Sequence, residues 1–302
     1  MLISKMNYEK PFLKWVGGKT QIINKIIPKF PKKINNYYEL FLGGGSVLFA
    51  LCSKIKNKEI EIDGNIYAFD INEGLINVYK AIQSNKDELY HYITHYMKMY
   101  ESITGETVNR KPETETDATT SKESYYYWMR ARFNQLPKTS IEYSALFIIL
   151  NKLCFRGVYR EGPNGFNVPY GHYKKTPTII IESQLTTISE LIKDVKFESL
   201  GFQESISKIK ANDFVYLDPP YAPLDKNSFV SYTKDGFTLE NHVELFKKII
   251  ELKGVKFIMS NAKVELVLDY FKDFTFEEII ARRAIHSKDP GSKALEILIM
   301  NL

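Results

Sequence analysis

A chain of 302 residues with 44% hydrophobic side chains can bury a substantial core, which excludes a disordered chain and allows one large domain or two unequal ones. Its 41 basic against 36 acidic residues give a formal charge of +5, compatible with a polyanionic partner and equally with simple solubility. Cys52 and Cys154 are the only cysteines, which excludes a disulfide framework and a four-cysteine metal cluster; with no signal-like opening and no run near the roughly 20 apolar residues of a membrane span, a cytoplasmic or otherwise intracellular protein is expected.

Residues 11–19 read PFLKWVGGK and combine aromatic bulk, glycine and fixed charge. As a lid or pocket wall the segment sets Lys14 against a cofactor carboxylate and Trp15 on the pocket; Trp15 in the core with Lys14 and Lys19 on the surface fits equally. Gly17, Gly18, Lys19 and Thr20 do not complete a phosphate loop, because Leu13 stands where its first glycine is needed. The pattern then predicts a strand over 37–42, a turn at Gly43, Gly44 and Gly45, and a helix over 47–55. Such a turn permits close backbone approach, and the helix offers amino-terminal N–H groups to a ligand, although an ordinary strand-to-helix turn has the same sequence. A strand over 66–69 ends at Asp70, whose carboxylate suits a ribose diol or a helix cap before Glu73; Glu39, one strand earlier, suits a cationic cofactor or a buried network.

Apolar positions at helical spacing continue over 73–100, and 101–124 is almost free of aliphatic side chains, as for an exposed loop. Helices are predicted over 125–133 and 145–153, followed by a Gly-, Pro- and aromatic-rich hairpin or turn at 154–173. The expected organisation is therefore a catalytic and cofactor-binding domain of 1–80 and 181–302 with an inserted domain of 81–180. Asn151, Lys152, Arg156, Tyr159 and Arg160, with Asn167, His172, Lys174 and Lys175 nearby, suit phosphate and base-edge contacts, or are solvent-facing charges around a hairpin.

The α/β pattern resumes with a helix over 185–191, strands over 195–200 and 211–217, a helix over 239–252 and a strand over 255–259; strands over 274–282 and 294–300 complete a mixed sheet with an antiparallel edge. Asp218, Pro219, Pro220 and Tyr221 follow the apolar run 214–217. An exocyclic base amine is a poor nucleophile because its lone pair is conjugated into the ring, and Asp218 with the Pro219 carbonyl can accept its hydrogens while the stiff proline pair keeps both aimed. Tyr221 can stack on an extruded base; the bland alternative is a plain Asp-Pro-Pro turn with Tyr221 capping the core. This chemistry requires neither a metal nor a covalent enzyme intermediate. Asn261 is a candidate for the mouth of the site, and Arg282 and Arg283 for approach to nucleic acid. The five histidines form no compact ligand pattern, and Cys154 is in no cytosine-C5 nucleophile motif, which argues against a metal nuclease and a cytosine-C5 enzyme.

PFLKWVGGK at 11–19, YYELFLGGGS at 37–46, AFDIN at 68–72, LNKLCFRGVYR at 150–160, FNVPYG at 166–171 and DFVYLDPPY at 213–221 together resemble, in content and order, the Dam-like D12 class of DNA adenine-N6 methyltransferases. The resemblance spans nearly the whole chain. It implies a Rossmann-like, S-adenosylmethionine-dependent methyltransferase with a mixed central sheet and a smaller, mainly helical target-recognition insertion, acting on N6 of a flipped adenine in duplex DNA. By the same resemblance Asp218, Pro219 and Tyr221 are catalytic; Lys14, Trp15, Lys19, Tyr38, Glu39, Phe41, Gly43, Gly45, Ser46, Asp70 and Asp218 serve the cofactor; and Asn151, Arg156, Tyr159, Arg160 and Asn167 serve DNA. Arg156 departs from the Asn that many relatives carry. A separate cognate restriction endonuclease is the further partner expected. Methylation of cytosine N4 or of an RNA amine, or a noncatalytic DNA-binding role, are the competing readings.

Overall fold

The strand Phe214–Leu217 is buried at all four residues, the mark of a strand covered on both faces. This computed structural model describes residues 8–222, 236–282 and 293–302. The chain divides into two compact units, one of Met1–Glu9, Lys19–Ile71 and Asp194–Leu302, the other of Lys10–Gly18 and Asn72–Lys193.

The first unit holds a seven-stranded sheet of β1 (Tyr37–Glu39), β2 (Ile66–Asp70), β3 (Val195–Ser199), β4 (Phe214–Leu217), β5 (Lys256–Ala262), β6 (Thr275–Arg282) and β7 (Lys293–Asn301). Their order is β3-β2-β1-β4-β5-β7-β6. The first five in that order are mutually parallel, and β7 runs antiparallel to both β5 and β6. This is the mixed, Rossmann-like α/β sheet expected from the sequence. Strand order reverses between β1 and β4, and in such sheets the crevice outside the carboxyl ends at the reversal is where ligands bind.

Side chains alternate across β1. Tyr38 joins the core of Phe69, Val215, Leu217, Phe246 and Phe257, whereas Tyr37 lies against Phe30 and Phe214 and donates its hydroxyl to Glu39. The strand stops at Glu39 rather than at residue 42. Leu40 N–H still bonds the Tyr216 carbonyl, but Leu42 N–H turns to the Phe69 carbonyl as the chain enters its left-handed glycines. β4 starts at residue 214 rather than 211, because Asn212 is left-handed (φ 71°) and Asp213 accepts from Asn35, Asn36 and the Lys210 N–H. At the other end β5 continues to Ala262 because Glu296 of β7 pairs opposite it.

The second unit is built on the helices Glu73–Ser84, Lys86–Ser102, Lys122–Gln135, Ile141–Leu153 and Glu182–Leu191. Ile141–Leu153 is buried on nearly every side and packs against the first three of these, as a helix apolar all round must. Asn72, Ser121 and Ser140 cap three of the five by accepting the N–H three residues on. Most side chains of 101–124 are exposed. Local bonds nonetheless give the segment shape: a capping box of Thr114 and Asp117 starts the short helix Glu115–Ala118, Glu106 bridges Ser121, and Arg110 pairs with Glu123. Glu161–Gly162 and Gly165–Phe166 form a small antiparallel hairpin.

Candidate active site

Two chain segments leave the sheet at the reversal point, and both belong to the first unit. After β1 the chain turns through Gly43 (φ 51°) and Gly45 (φ 70°), a conformation that a side chain disfavours, and Gly45 caps the helix Ser46–Lys56. Asp70, at the end of the neighbouring β2, accepts the Gly43 N–H through Oδ2 at 2.9 Å. It does not cap the next helix; Asn72 does. Ser46 Oγ accepts the Lys19 N–H at 3.0 Å, tying the segment that precedes the fold's first helix to the glycine turn.

After β4, Asp218 Oδ2 pairs with Lys19 Nζ at 2.7 Å, with the Lys19 side chain only 5% exposed. The same ammonium lies 4.9 Å from the centre of the Tyr221 ring. Tyr221 donates its hydroxyl to Glu296 of β7 at 2.9 Å, and Asn261 of β5 accepts the Ala222 N–H at 3.1 Å. Below them the hydroxyls of Tyr216 and Ser260 are 2.8 Å apart. The proline turn is thus held at Asp218, at Tyr221 and at Ala222 by three different elements. Two buried polar atoms here, Asp218 Oδ1 and Asn261 Nδ2, have no hydrogen-bond partner among the described residues.

Burial dominates the electrostatics. It pushes the Asp218 carboxyl up to about 6; the Lys19 ammonium opposes that rise and the Glu296 carboxylate adds to it. Glu39 is pushed up to about 8 by burial, against the lowering effect of the Tyr37 hydroxyl and with a further rise from Asp218. Burial, Asp218 and Glu296 together hold the Tyr221 hydroxyl well above its ordinary range.

The structure brings Lys19, Gly43, Gly45, Ser46, Asp70, Asp218 and Tyr221 to one sheet edge region of one unit, and Pro219 is buried between Asp218 and Tyr221. Phe41 is half-buried beside Phe202 and Phe237. Tyr38 is a correction: it points to the opposite face from Glu39, packs on Tyr67 and donates its hydroxyl to the Lys208 carbonyl, so it is a core residue. Glu39 is itself 2% exposed. Glu296 and Ser260 escaped the sequence reading, although a lone carboxylate inside the apolar run of β7 was a usable signal for the first.

Lys14 and Trp15 belong to the second unit. Trp15 stacks with Phe147 and Tyr159, and Lys14 Nζ donates to the Lys152 carbonyl and the Tyr173 hydroxyl. Asn151 is a second correction. It is 3% exposed, its amide oxygen accepts the Lys14 N–H and its amide nitrogen donates to the Lys14 carbonyl, at 2.8 Å each, and to the Gly157 carbonyl at 3.4 Å, so the side chain is held inside the unit rather than offered to a base edge. Arg156, Arg160 and Asn167 are exposed, and Arg160 Nε donates to Asn167 Oδ1 at 2.7 Å. Arg156 sits in a left-handed turn (φ 57°) against the exposed Phe155 ring. Tyr159 is half-buried and donates to Glu161. Asn261 is buried rather than at an open mouth, and Arg283 lies outside the described residues. Among the described residues no three His, Cys, Asp or Glu side chains are grouped to hold a metal, and no helix is long and apolar enough to cross a membrane.

Residues 15–285 match the family profile described as D12 class N6 adenine-specific DNA methyltransferase. The type II methyltransferase M.MjaIII of Methanocaldococcus jannaschii is 36% identical over 306 residues, covering 97% of this chain and 99% of its own. The type II methyltransferase M1.LlaDCHI of Lactococcus lactis subsp. cremoris is 33% identical, covering 97% of this chain and 95% of its own. The DNA adenine methylase of Escherichia coli K12 is 27% identical, with the same two coverages.

Proposed function

The chain belongs to the D12 class of N6 adenine-specific DNA methyltransferases, and on that footing we propose that the carboxyl end of β4 is where the exocyclic amine of adenine is held for methylation. The reaction is S-adenosylmethionine-dependent methylation of adenine N6 in DNA. One observation carries the reading of the site: Asp218 Oδ1 is a buried acceptor with no donor among the described residues, while its twin oxygen is held by Lys19. Leaving such an atom unpaired costs about 1–3 kcal/mol, and an arriving amine N–H removes that cost.

Asp218 Oδ1 and the Pro219 carbonyl accept the two amine hydrogens, which turns the N6 lone pair away from the ring. Tyr221 stacks on the base after it leaves the duplex, its ring angle fixed by the bond to Glu296. When bound, S-adenosylmethionine supplies an electrophilic methyl group whose bond to sulfur breaks, with its electrons going to sulfur, as the bond to N6 forms. Gly43, Gly45, Ser46 and Asp70 hold it. The left-handed glycines admit close backbone approach, and Asp70, which takes the Gly43 N–H, has the acceptor chemistry for a ribose diol. Phe41 adds an apolar wall, Asp218 orients and polarises the amine, whose proton leaves to solvent around or after methyl transfer, and the scheme calls on no metal. Exposed Arg156, Arg160 and Asn167, with Tyr159, meet the duplex from the second unit through phosphates and base edges. A separate restriction endonuclease blocked by the same methylation is the proposed partner. Family membership favours adenine in DNA over cytosine N4 or an RNA amine, and the assembled proline turn favours catalysis over DNA binding alone.

Because the amine must meet an ionised carboxylate, the single-turnover rate is expected to be level above neutrality and to fall tenfold per pH unit below about 6, the raised position of Asp218 rather than its ordinary 3.8. A rate that stays level down to pH 4.5 contradicts this. Tyr221→Ala is expected to lower the rate by about 10-fold to 100-fold through lost stacking of about 1–3 kcal/mol, while Tyr221→Phe, which keeps the ring and loses the Glu296 bond, stays within about tenfold of the parent. Equal losses in the two variants would assign the effect to the hydroxyl instead.

A further inference from the structure

The ion pair of Lys19 and Asp218 joins a residue that the resemblance assigns to the cofactor with one that it assigns both to the cofactor and to the reacting amine. We propose that Lys19 is a positioning residue for methyl transfer: its ammonium fixes one oxygen of Asp218 so that the other, and only the other, is presented to the base amine as an ionised acceptor. The proposal rests on the reading of Asp218 given above.

Geometry carries it. A carboxylate on a short side chain can rotate and present either oxygen, or share both with one donor. Here Oδ2 is 2.7 Å from the Lys19 ammonium, and Oδ1 is buried with no partner among the described residues, so the two oxygens are already unequal before substrate arrives. Lys19 is anchored from two sides, its backbone N–H by Ser46 Oγ at 3.0 Å and its ammonium also over the Tyr221 ring at 4.9 Å. A lysine whose role was surface charge would not be 4% exposed.

The surrounding charges make the cation necessary. Among the described residues, the groups that act on Asp218 or share its electrostatics are Glu296 on β7, Glu39 on β1, and the hydroxyls of Tyr216 and Tyr221, each acidic or neutral, with Lys19 as the cation. Burial and Glu296 raise the Asp218 carboxyl to about 6 even with Lys19 opposing them. Without the ammonium nothing among these groups opposes that rise, so the protonated carboxyl is favoured further, and a protonated carboxyl donates where the amine needs an acceptor. The glycine turn and the proline turn are therefore joined through one residue, Ser46 holding the Lys19 backbone and Asp218 its side chain.

The test uses the full chain and duplex DNA with Lys19→Gln and Lys19→Arg, following single-turnover methylation between pH 5 and 8.5 and S-adenosylmethionine affinity by calorimetry. Lys19→Gln is expected to lose about 10²-fold in rate at pH 7, to recover part of it as pH rises because its acid limb has moved up by a unit or more, and to bind the cofactor within about threefold of the parent. Lys19→Arg, which keeps the charge, is expected to keep the acid limb near its original position. An unshifted limb in Lys19→Gln overturns the proposal, whether or not the rate falls. So does a loss of cofactor affinity as large as the loss in rate, which makes Lys19 a cofactor ligand. If the glutamine variant does not fold, a displaced limb in the arginine variant overturns it. A parent protein that makes no N6-methyladenine sinks the reading of Asp218 instead, an outcome separate from all of these.

Discussion

Asp218→Ala is expected to lower the rate of DNA methylation by about 10³-fold, because it removes a buried side-chain acceptor that has no donor among the described residues. The substitution has a second consequence that the ion pair dictates. Lys19 is left as a buried ammonium without its carboxylate, and stranding one member of a buried pair costs about 3–5 kcal/mol. Asp218→Ala should therefore be measurably less stable as well as inactive. Asp218→Asn separates the two effects, since it keeps the shape and an acceptor oxygen while losing the charge. The expected order of rates is parent, then Asn, then Ala, with cofactor affinity within about tenfold throughout; an alanine variant that turns over within tenfold of the parent contradicts the assignment.

A second large effect, on stability alone, is expected in the other unit. Asn151→Ala removes the amide that satisfies both the N–H and the carbonyl of Lys14 and leaves two partly buried backbone groups unpaired, a loss of about 2–4 kcal/mol. That loss is expected as a lower midpoint in urea unfolding. Any activity that remains should keep its sequence preference, because the side chain reaches no base. A stable variant with relaxed preference would return Asn151 to the DNA interface.

The difference between what the sequence revealed and what it hid follows range. The strand-turn-helix from β1 through Gly45, the apolar run before Asp218 and the antiparallel final strands are local patterns, and each was legible from period and turn residues. The pairing of Lys19 with Asp218, and of Tyr221 with Glu296, joins residues far apart in the chain, which residue type alone does not connect. Tyr38 and Asn151 failed for a related reason. Both have the chemistry of a contact residue, but strand alternation sends Tyr38 to the far face, and the buried helix Ile141–Leu153 keeps Asn151 inside. Arg156 shows the reverse case: the departure from Asn was visible in the sequence, and the left-handed backbone there, a conformation that Asn tolerates better than most residues, gives it a physical context.

The most direct test is to incubate the protein and its Asp218→Asn variant with methyl-labelled S-adenosylmethionine and mixed-sequence duplex DNA, digest the product and identify the labelled nucleoside by mass spectrometry. The account predicts N6-methyl-deoxyadenosine as the labelled product, with a yield that collapses in the variant. Label on deoxycytidine, or equal labelling by the two proteins, would contradict it.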